Sequence, residues 1–275
     1  MNQFSLAKLD TPEILNVLFH PRREKPPTQS DTIIEQDIPV DDGVTIGCRF
    51  HLAASDAPNI LFFHGNGEIA SDYDEIGPLY NTFGYSFLVA DYRGYGTSSG
   101  TPTAGDLLND SHTIFNAVKE WLATEGRTGP LFVMGRSLGS ACAIELGSSL
   151  PNDVTGIIIE SGFSHSIPLL LTMGVDIRKH DIAETDCFCN VQKITNCSKP
   201  TLIIHASRDQ IIPVTSAEIL QANSAAKHKV FQVVPGADHN TLFEVAGMAY
   251  FELIQQFINK VMGVRPKRKR YKPRR

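Results

Sequence analysis

No stretch of this chain combines the length and the apolarity that a membrane-spanning helix needs. The longest mainly apolar run, Ile167 to Val175, falls far short of the roughly 20 residues required. Glycine and proline, 21 and 16 of 275 residues, are too few for a low-complexity chain. Residues 1–20 lack a basic cluster leading into an apolar segment and a small-residue cleavage site, so nothing there marks secretion and the expected compartment is the cytoplasm. The five cysteines, Cys48, Cys142, Cys187, Cys189 and Cys197, form an odd set without the spacing of a disulfide framework, which fits a reducing compartment. Cys187-Phe188-Cys189 with Cys197 beyond matches no usual zinc spacing and reads as plain cysteines of an insertion. No internal repeat is visible. What is present is ample core material, 42% apolar residues against 20% charged, enough for one domain with insertions that needs neither disulfides nor metal to fold.

Charge is unevenly spread. The net charge of −5 conceals a tail, Arg265 to Arg275, with eight basic residues and no acidic one; residues 1–264 then carry 17 basic against 30 acidic residues, a net of −13. Such a tail has little to bury and is expected to be disordered, lying on the acidic body or making a weak, non-specific contact with an anionic surface such as lipid or nucleic acid. No specific nucleic-acid recognition is implied.

The order of elements points to an α/β fold. Thr11-Pro12-Glu13 opens a short apolar helix that ends by Pro21 and docks on the body, and Pro26-Pro27 marks a linker, so residues 1–30 form an N-terminal helix and linker. Thr32 to Val40 and Val44 to Leu52, joined at Asp41-Asp42-Gly43, read as an antiparallel hairpin. Short apolar strands follow at 60–63, 87–90, 131–134, 156–159, 201–204 and 230–234. Helical stretches lie between or after them at 69–83, 104–123, 138–150, 216–225 and 242–261. Strands apolar nearly throughout and separated by helices predict a mostly parallel central sheet with helices on both faces. The main domain spans residues 31–264, with 265–275 as the basic tail. The long interval between Glu160 and Pro200 exceeds an ordinary crossover and predicts a small lid insertion around 161–199, with a short helix near Ile167 to Met173.

Chemistry concentrates at three strand ends. Gly135-Arg136-Ser137-Leu138-Gly139 fits G-x-S-x-G between an apolar strand and a helix, the setting in which a strained turn exposes a serine beside backbone N–H groups. A serine hydroxyl needs a base, and the base needs an orienting acid. Asp209 follows the strand at 201–204 and His239 follows the strand at 230–234, in the order serine, acid, histidine. Asp238 reads as a turn residue, and Asp91 as the residue that holds the loop Tyr92 to Gly96 together. His205 and His228 read as structural or surface residues, while His112, His165 and His180 lack a strand-end position of the right order. Two N–H donors are expected to face a developing oxyanion, those of Leu138 and Asn66, with Gly67 as the alternative to Asn66 in His64-Gly65-Asn66-Gly67-Glu68. That glycine-rich loop carries neither of the two nucleotide-phosphate patterns, G-x-x-x-x-G-K-[ST] and G-x-G-x-x-G.

Taken together, the segments 64–67, 91–98, 135–139, 209 and 236–239 resemble the alpha/beta-hydrolase superfamily. Within it the chain is similar to the small-lid branch that includes serine aminopeptidase-like proteins and acyl-protein depalmitoylases of the alpha/beta-hydrolase domain-containing group. The resemblance runs from the first hairpin to the last helix. It implies a serine hydrolase that cleaves a small-molecule acyl ester or thioester with no metal or organic cofactor. A peptidase or amidase of the same fold, or a non-catalytic ligand-binding protein, are the alternatives. One departure stands out: those depalmitoylases carry an N-terminal cysteine cluster for their own lipidation, and here no cysteine precedes Cys48.

Overall fold

A computed structural model describes residues 6–24 and 33–264; the Pro26-Pro27 linker and the basic tail lie outside them. The hairpin forms β1, Ile34–Asp41, and β2, Val44–His51, paired antiparallel and joined at Asp42-Gly43, where Gly43 takes the positive φ of +72° that such a turn demands. Six further strands follow: β3, Asn59–Phe63; β4, Ser86–Ala90; β5, Leu131–Arg136; β6, Ile157–Glu160; β7, Thr201–Ala206; and β8, Lys229–Val234. They assemble in the order β1-β2-β4-β3-β5-β6-β7-β8, with β2 antiparallel to β4 and every later pair parallel. The consecutive strands β4 and β5 flank β3 on opposite sides. Loops leaving β3 and β5 therefore diverge, and a crevice opens at the carboxyl ends of the strands.

The strands β3, β4 and β6 are buried along their whole length, which explains their unbroken apolar runs. Each face of the sheet has its own core. On one, Leu61, Phe63 and Val133 pack with Ile114 and Phe115 of α3, Ala104–Thr124, and with Ile144 of α4, Ser140–Ser149; on the other, Phe62, Phe87 and Phe132 pack with Tyr80, Phe251 and Phe257. Tyr80 stacks flat on Phe87 at 4.0 Å between ring centroids, and Phe251 meets Tyr80 edge-on at 5.0 Å.

Two expected helices are broken, each for a local reason. The stretch 69–83 divides into a 3-10 turn, Ala70–Tyr73, and α2, Gly77–Thr82, because Pro78 cannot continue an incoming helix and is tolerated only in a first turn. Gly77 is needed as well, since a Cβ there would lie 2.2 Å from the His51 ring. The stretch 242–261 divides at Gly247 (φ +53°, ψ −135°) into α8, Leu242–Ala246, and α9, Met248–Val261. Remaining boundaries shift by a few residues: α7 covers Val214–Asn223 after Pro213, and α4 begins only after a 3-10 turn at Ser137–Gly139.

Between β6 and β7 lie α5, Ser166–Thr172, a 3-10 turn at Glu184–Asp186 and α6, Asn190–Ile194. The Glu184 carboxylate accepts the Ser166 and Ile167 N–H groups at 2.6 and 3.0 Å and so caps α5. Leu170 is buried in the core while Leu171 is 53% exposed, so α5 lies on the body with one face and shows the other to solvent. All five cysteines are free and buried, with Cys187 and Cys189 directed at the carbonyls of Ala183 and Glu184. Among the described residues, no group of three His, Cys, Asp or Glu side chains is placed to hold a metal, and no helix is long and apolar enough to cross a membrane.

At the N-terminus, α1, Pro12–Leu18, buries Ile14 and Leu18 in the same core. Thr11 precedes it without making a side-chain cap.

His51 generates a pH-dependence. Burial, with Arg49 adding to it, pushes the ring down from 6.5 to about 4, so it is neutral in the folded chain. Unfolded chains take up a proton near 6.5, hence stability is full above that pH and declines as pH falls toward about 4. Urea unfolding at pH 7, 6 and 5 is expected to show a falling midpoint, and the slope across this window is expected to flatten in His51→Gln; an equal slope in both proteins would assign the acid sensitivity to other groups.

Candidate active site

The chain leaves β5 in an abrupt turn. Ser137 sits at φ +50°, a left-handed conformation that costs a non-glycine residue about 1–2 kcal/mol. Its two glycine neighbours explain how the turn closes. A Cβ on Gly135 would stand 2.1 Å from the Gly139 carbonyl oxygen, and one on Gly139 would stand 2.1 Å from the Phe63 carbonyl oxygen. The turn is thus wedged against the end of β3 and the start of the loop that leaves that strand.

Three expected residues meet here. His239 Nε2 lies 2.9 Å from Ser137 Oγ, and His239 Nδ1 lies 2.7 Å from Asp209 Oδ2. Serine, acid and histidine are each less than a tenth exposed. Asp209 is locked from its other side, where Oδ1 accepts the Ile211 and Ile212 N–H groups at 3.0 and 2.8 Å. A carboxylate can only accept, so the Nδ1 proton belongs on the Asp209 side and Nε2 is left to accept the serine proton.

Other candidates fall elsewhere. Asp238 is exposed and closes its own turn, accepting from the Asn240 and Thr241 N–H groups at 2.9 and 3.0 Å. His205 is buried 3.5 Å from Asp209 Oδ2, with Nε2 on the Ile212 carbonyl at 2.7 Å and its pKa lowered by burial. His112 pairs with Glu145, His165 with Ser164, and His228 stacks on Phe257. Asp91 does more than hold the following loop. Its Oδ1 accepts the Ala70 N–H at 2.8 Å and lies 3.1 Å from His64 Nε2, tying the loop after β3 to the end of β4. Gly96 passes so close to this carboxylate that a Cβ would overlap it.

That loop, residues 64–68, has most of its polar atoms taken. Tyr92 Oη donates to the His64 carbonyl at 2.6 Å, and the Gly65 N–H donates to Glu68 Oε2 at 2.7 Å. Tyr95 Oη donates to Asn66 Oδ1 at 2.7 Å.

Arg136, the variable position of the serine motif, ties the loop after β3, the end of β6 and the loop after β8 together. Its guanidinium reaches Glu68 of the loop after β3, Glu160 at the end of β6 (Nε to Oε1, 3.2 Å) and the His239 carbonyl (Nη2, 2.8 Å). Tyr73 donates to Glu68 at 2.6 Å, and Tyr250 donates to Glu160 at 2.5 Å. Burial alone would weaken the charged form of all three groups. The two carboxylates nonetheless raise Arg136, and Arg136 with Tyr73 holds Glu68 low, whereas burial prevails at Glu160 and lifts it. Sequence reading assigned no role to Arg136, Glu68, Glu160 or Tyr250. The available signal was Glu160 itself, a charge closing an otherwise apolar strand.

Comparison with known proteins gives the family. A family model described as serine aminopeptidase, S33, matches residues 55–173. Human alpha/beta hydrolase domain-containing protein 17B is 30% identical over 230 residues, covering 79% of this chain and 72% of that protein. The chain belongs to the alpha/beta-hydrolase superfamily. Among solved structures, a Pyrococcus furiosus esterase superposes with a TM-score of 0.71 at 16% identity over 87% of this chain and 98% of that one. A soluble variant of monoglyceride lipase from Saccharomyces cerevisiae, bound to a substrate analogue, gives 0.67 at 18% identity over 85% and 97%. These likenesses bear on the fold. The coarse activity goes with the family, and this alpha/beta-hydrolase is a hydrolase.

Arg136 supplies a stability test. Arg136→Met leaves the buried Glu160 and the part-buried Glu68 without their cation, and is expected to cost about 3–5 kcal/mol in urea unfolding. Adding Glu160→Gln should recover part of that loss. A cost below about 1 kcal/mol, the size of an exposed pair, would show that the cluster is not a coupled unit.

Proposed function

We propose that the protein is a serine hydrolase that cleaves a carboxylic ester or thioester through an acyl-enzyme. The observation carrying this reading is the hydrogen-bonded run from Ser137 through His239 to Asp209, at 2.9 and 2.7 Å. His239 takes the proton as Ser137 Oγ attacks the carbonyl carbon. Asp209 fixes the tautomer and stabilises the imidazolium, and the proton then passes to the leaving group. The Leu138 and Asn66 N–H groups receive the oxyanion. Water, deprotonated by the same histidine, releases the acid and restores the serine. Every proton moved in this cycle has a side chain to carry it, so the chemistry calls for no metal or organic cofactor.

A small acyl substrate suits the short insertion, whose α5 carries Ile167, Leu169, Leu170 and Leu171, with Met173 at its C-cap, and would act as the lid. The esterase and lipase among the structural neighbours agree with ester cleavage. The match to the serine aminopeptidase family favours one second reading, a peptidase or amidase using the same three groups. The basic tail would add at most a weak anionic-surface contact, and the cytoplasm is the proposed compartment.

Labelling by a fluorophosphonate probe, followed by p-nitrophenyl esters, thioesters and aminoacyl p-nitroanilides, tests the assignment. Ser137→Ala and His239→Ala are each expected to lose about 10⁴-fold or more in kcat, with the double variant little worse than either, because the groups act as one unit. Asp209→Asn should fall by about 10⁴-fold and Asp238→Asn by less than about threefold. The reverse ranking of the two aspartates would falsify the choice of acid. Turnover of anilides above esters would install the peptidase reading.

A further inference from the structure

We propose that the segment preceding the first strand is a working part of the active site, with His20 as the positioning residue for the loop that carries the Asn66 N–H. This rests on the hydrolase reading given above. The Asn66 side chain is held by three hydrogen bonds. Its Oδ1 accepts the His20 N–H at 2.9 Å and the Tyr95 hydroxyl at 2.7 Å, and its Nδ2 lies 2.8 Å from His20 Nδ1. Two donors on Oδ1 fix which end of the amide is oxygen, so Nδ2 is the donor to the ring and His20 Nδ1 accepts. These bonds make the Asn66 side chain the handle that sets where its main chain points.

His20 holds that handle from a strap pinned on both sides. Upstream, Asp10 accepts the Ala104 N–H at 2.6 Å at the start of α3, and Glu13 pairs with Lys179 of the insertion at 2.7 Å. Lys8 pairs with Asp186 of the insertion at 3.1 Å. Downstream, the Arg22 carbonyl accepts the Gly96 N–H at 2.8 Å, and the Glu24 N–H donates to the Gly96 carbonyl at 3.0 Å. The His20 N–H also reaches Tyr95 Oη at 2.8 Å, so strap, tyrosine and asparagine close one hydrogen-bonded ring. The strap thus connects the insertion to the oxyanion loop. It lies wholly before residue 55, where the match to the family model begins.

The inference separates positioning from folding. His20 is exposed, so replacing it should disturb stability little, whereas a shift of the loop by a fraction of an ångström acts on the transition state. The full chain and its His20→Ala, His20→Gln, Asn66→Ala and double His20→Ala/Asn66→Ala variants are compared for kcat and KM on p-nitrophenyl acetate and for thermal midpoint. His20→Ala is expected to lose about tenfold or more in kcat with KM within about twofold and the midpoint nearly unchanged. His20→Gln, whose amide oxygen replaces the ring acceptor, should regain most of the rate. The double variant should lose no more than Asn66→Ala alone. Wild-type kcat in His20→Ala, losses that multiply in the double variant, failure of glutamine to rescue, or unfolding of His20→Ala would each overturn the inference. Wild-type protein inert toward both ester and fluorophosphonate would instead overturn the hydrolase reading, and this inference with it.

Discussion

The arrangement at the crevice depends on one buried cation. Arg136 sits between Glu68 and Glu160 and also holds the His239 carbonyl, so the loops after β3, β5, β6 and β8 share a single guanidinium. A planar group with several fixed donors can serve such diverging acceptors, which a lysine ammonium cannot do with the same geometry. Withdrawing these groups from water, in part or in full, is costly, and attraction between them offsets that cost only while the whole set is together. The loops are therefore held as a unit.

Around this centre, local strain is accepted for the sake of placement. Ser137 adopts a left-handed backbone, and Gly135 and Gly139 remove the side-chain atoms that would stop the turn from closing on itself and on β3. The packed sheet supplies the compensation, because Val133 and Met134 before the turn and Ala141 to Ile144 after it are fully buried. A serine in an open loop would relax out of such a conformation; here the neighbouring elements hold it.

The N-terminal strap and the insertion add a second level of order on the same side of the sheet. Neither contributes a strand. The strap engages α3, the insertion and the loops after β3 and β4 by hydrogen bonds and ion pairs. Ion pairs such as Glu13 with Lys179 lie in solvent and contribute little energy, so the apolar burial of Ile14, Leu18 and Phe19 is what keeps the strap in place.

Much of the fold and the positions of Ser137, Asp209 and His239 at strand ends were legible in the sequence, because short-range signals encode them. Apolar runs of strand length, Asp42-Gly43 at a turn and small residues flanking a serine each work within a few positions of the chain. Broken helices were less legible, since the need for Gly77 arises from the His51 ring at the end of β2 and the break at Gly247 interrupts an otherwise helical pattern. Long-range polar pairing was not legible at all. That Arg136 meets Glu160, that Asp91 meets His64, and that His20 meets Asn66 depends on strand order and crossing loops, where partners are 24, 27 and 46 positions apart. Sequence by itself determined which elements form and which chemistry-bearing residues end the strands. Only the tertiary structure decided which of those residues touch, because hydrogen bonds and ion pairs act over a few ångströms and the chain reaches those distances only after the sheet has assembled.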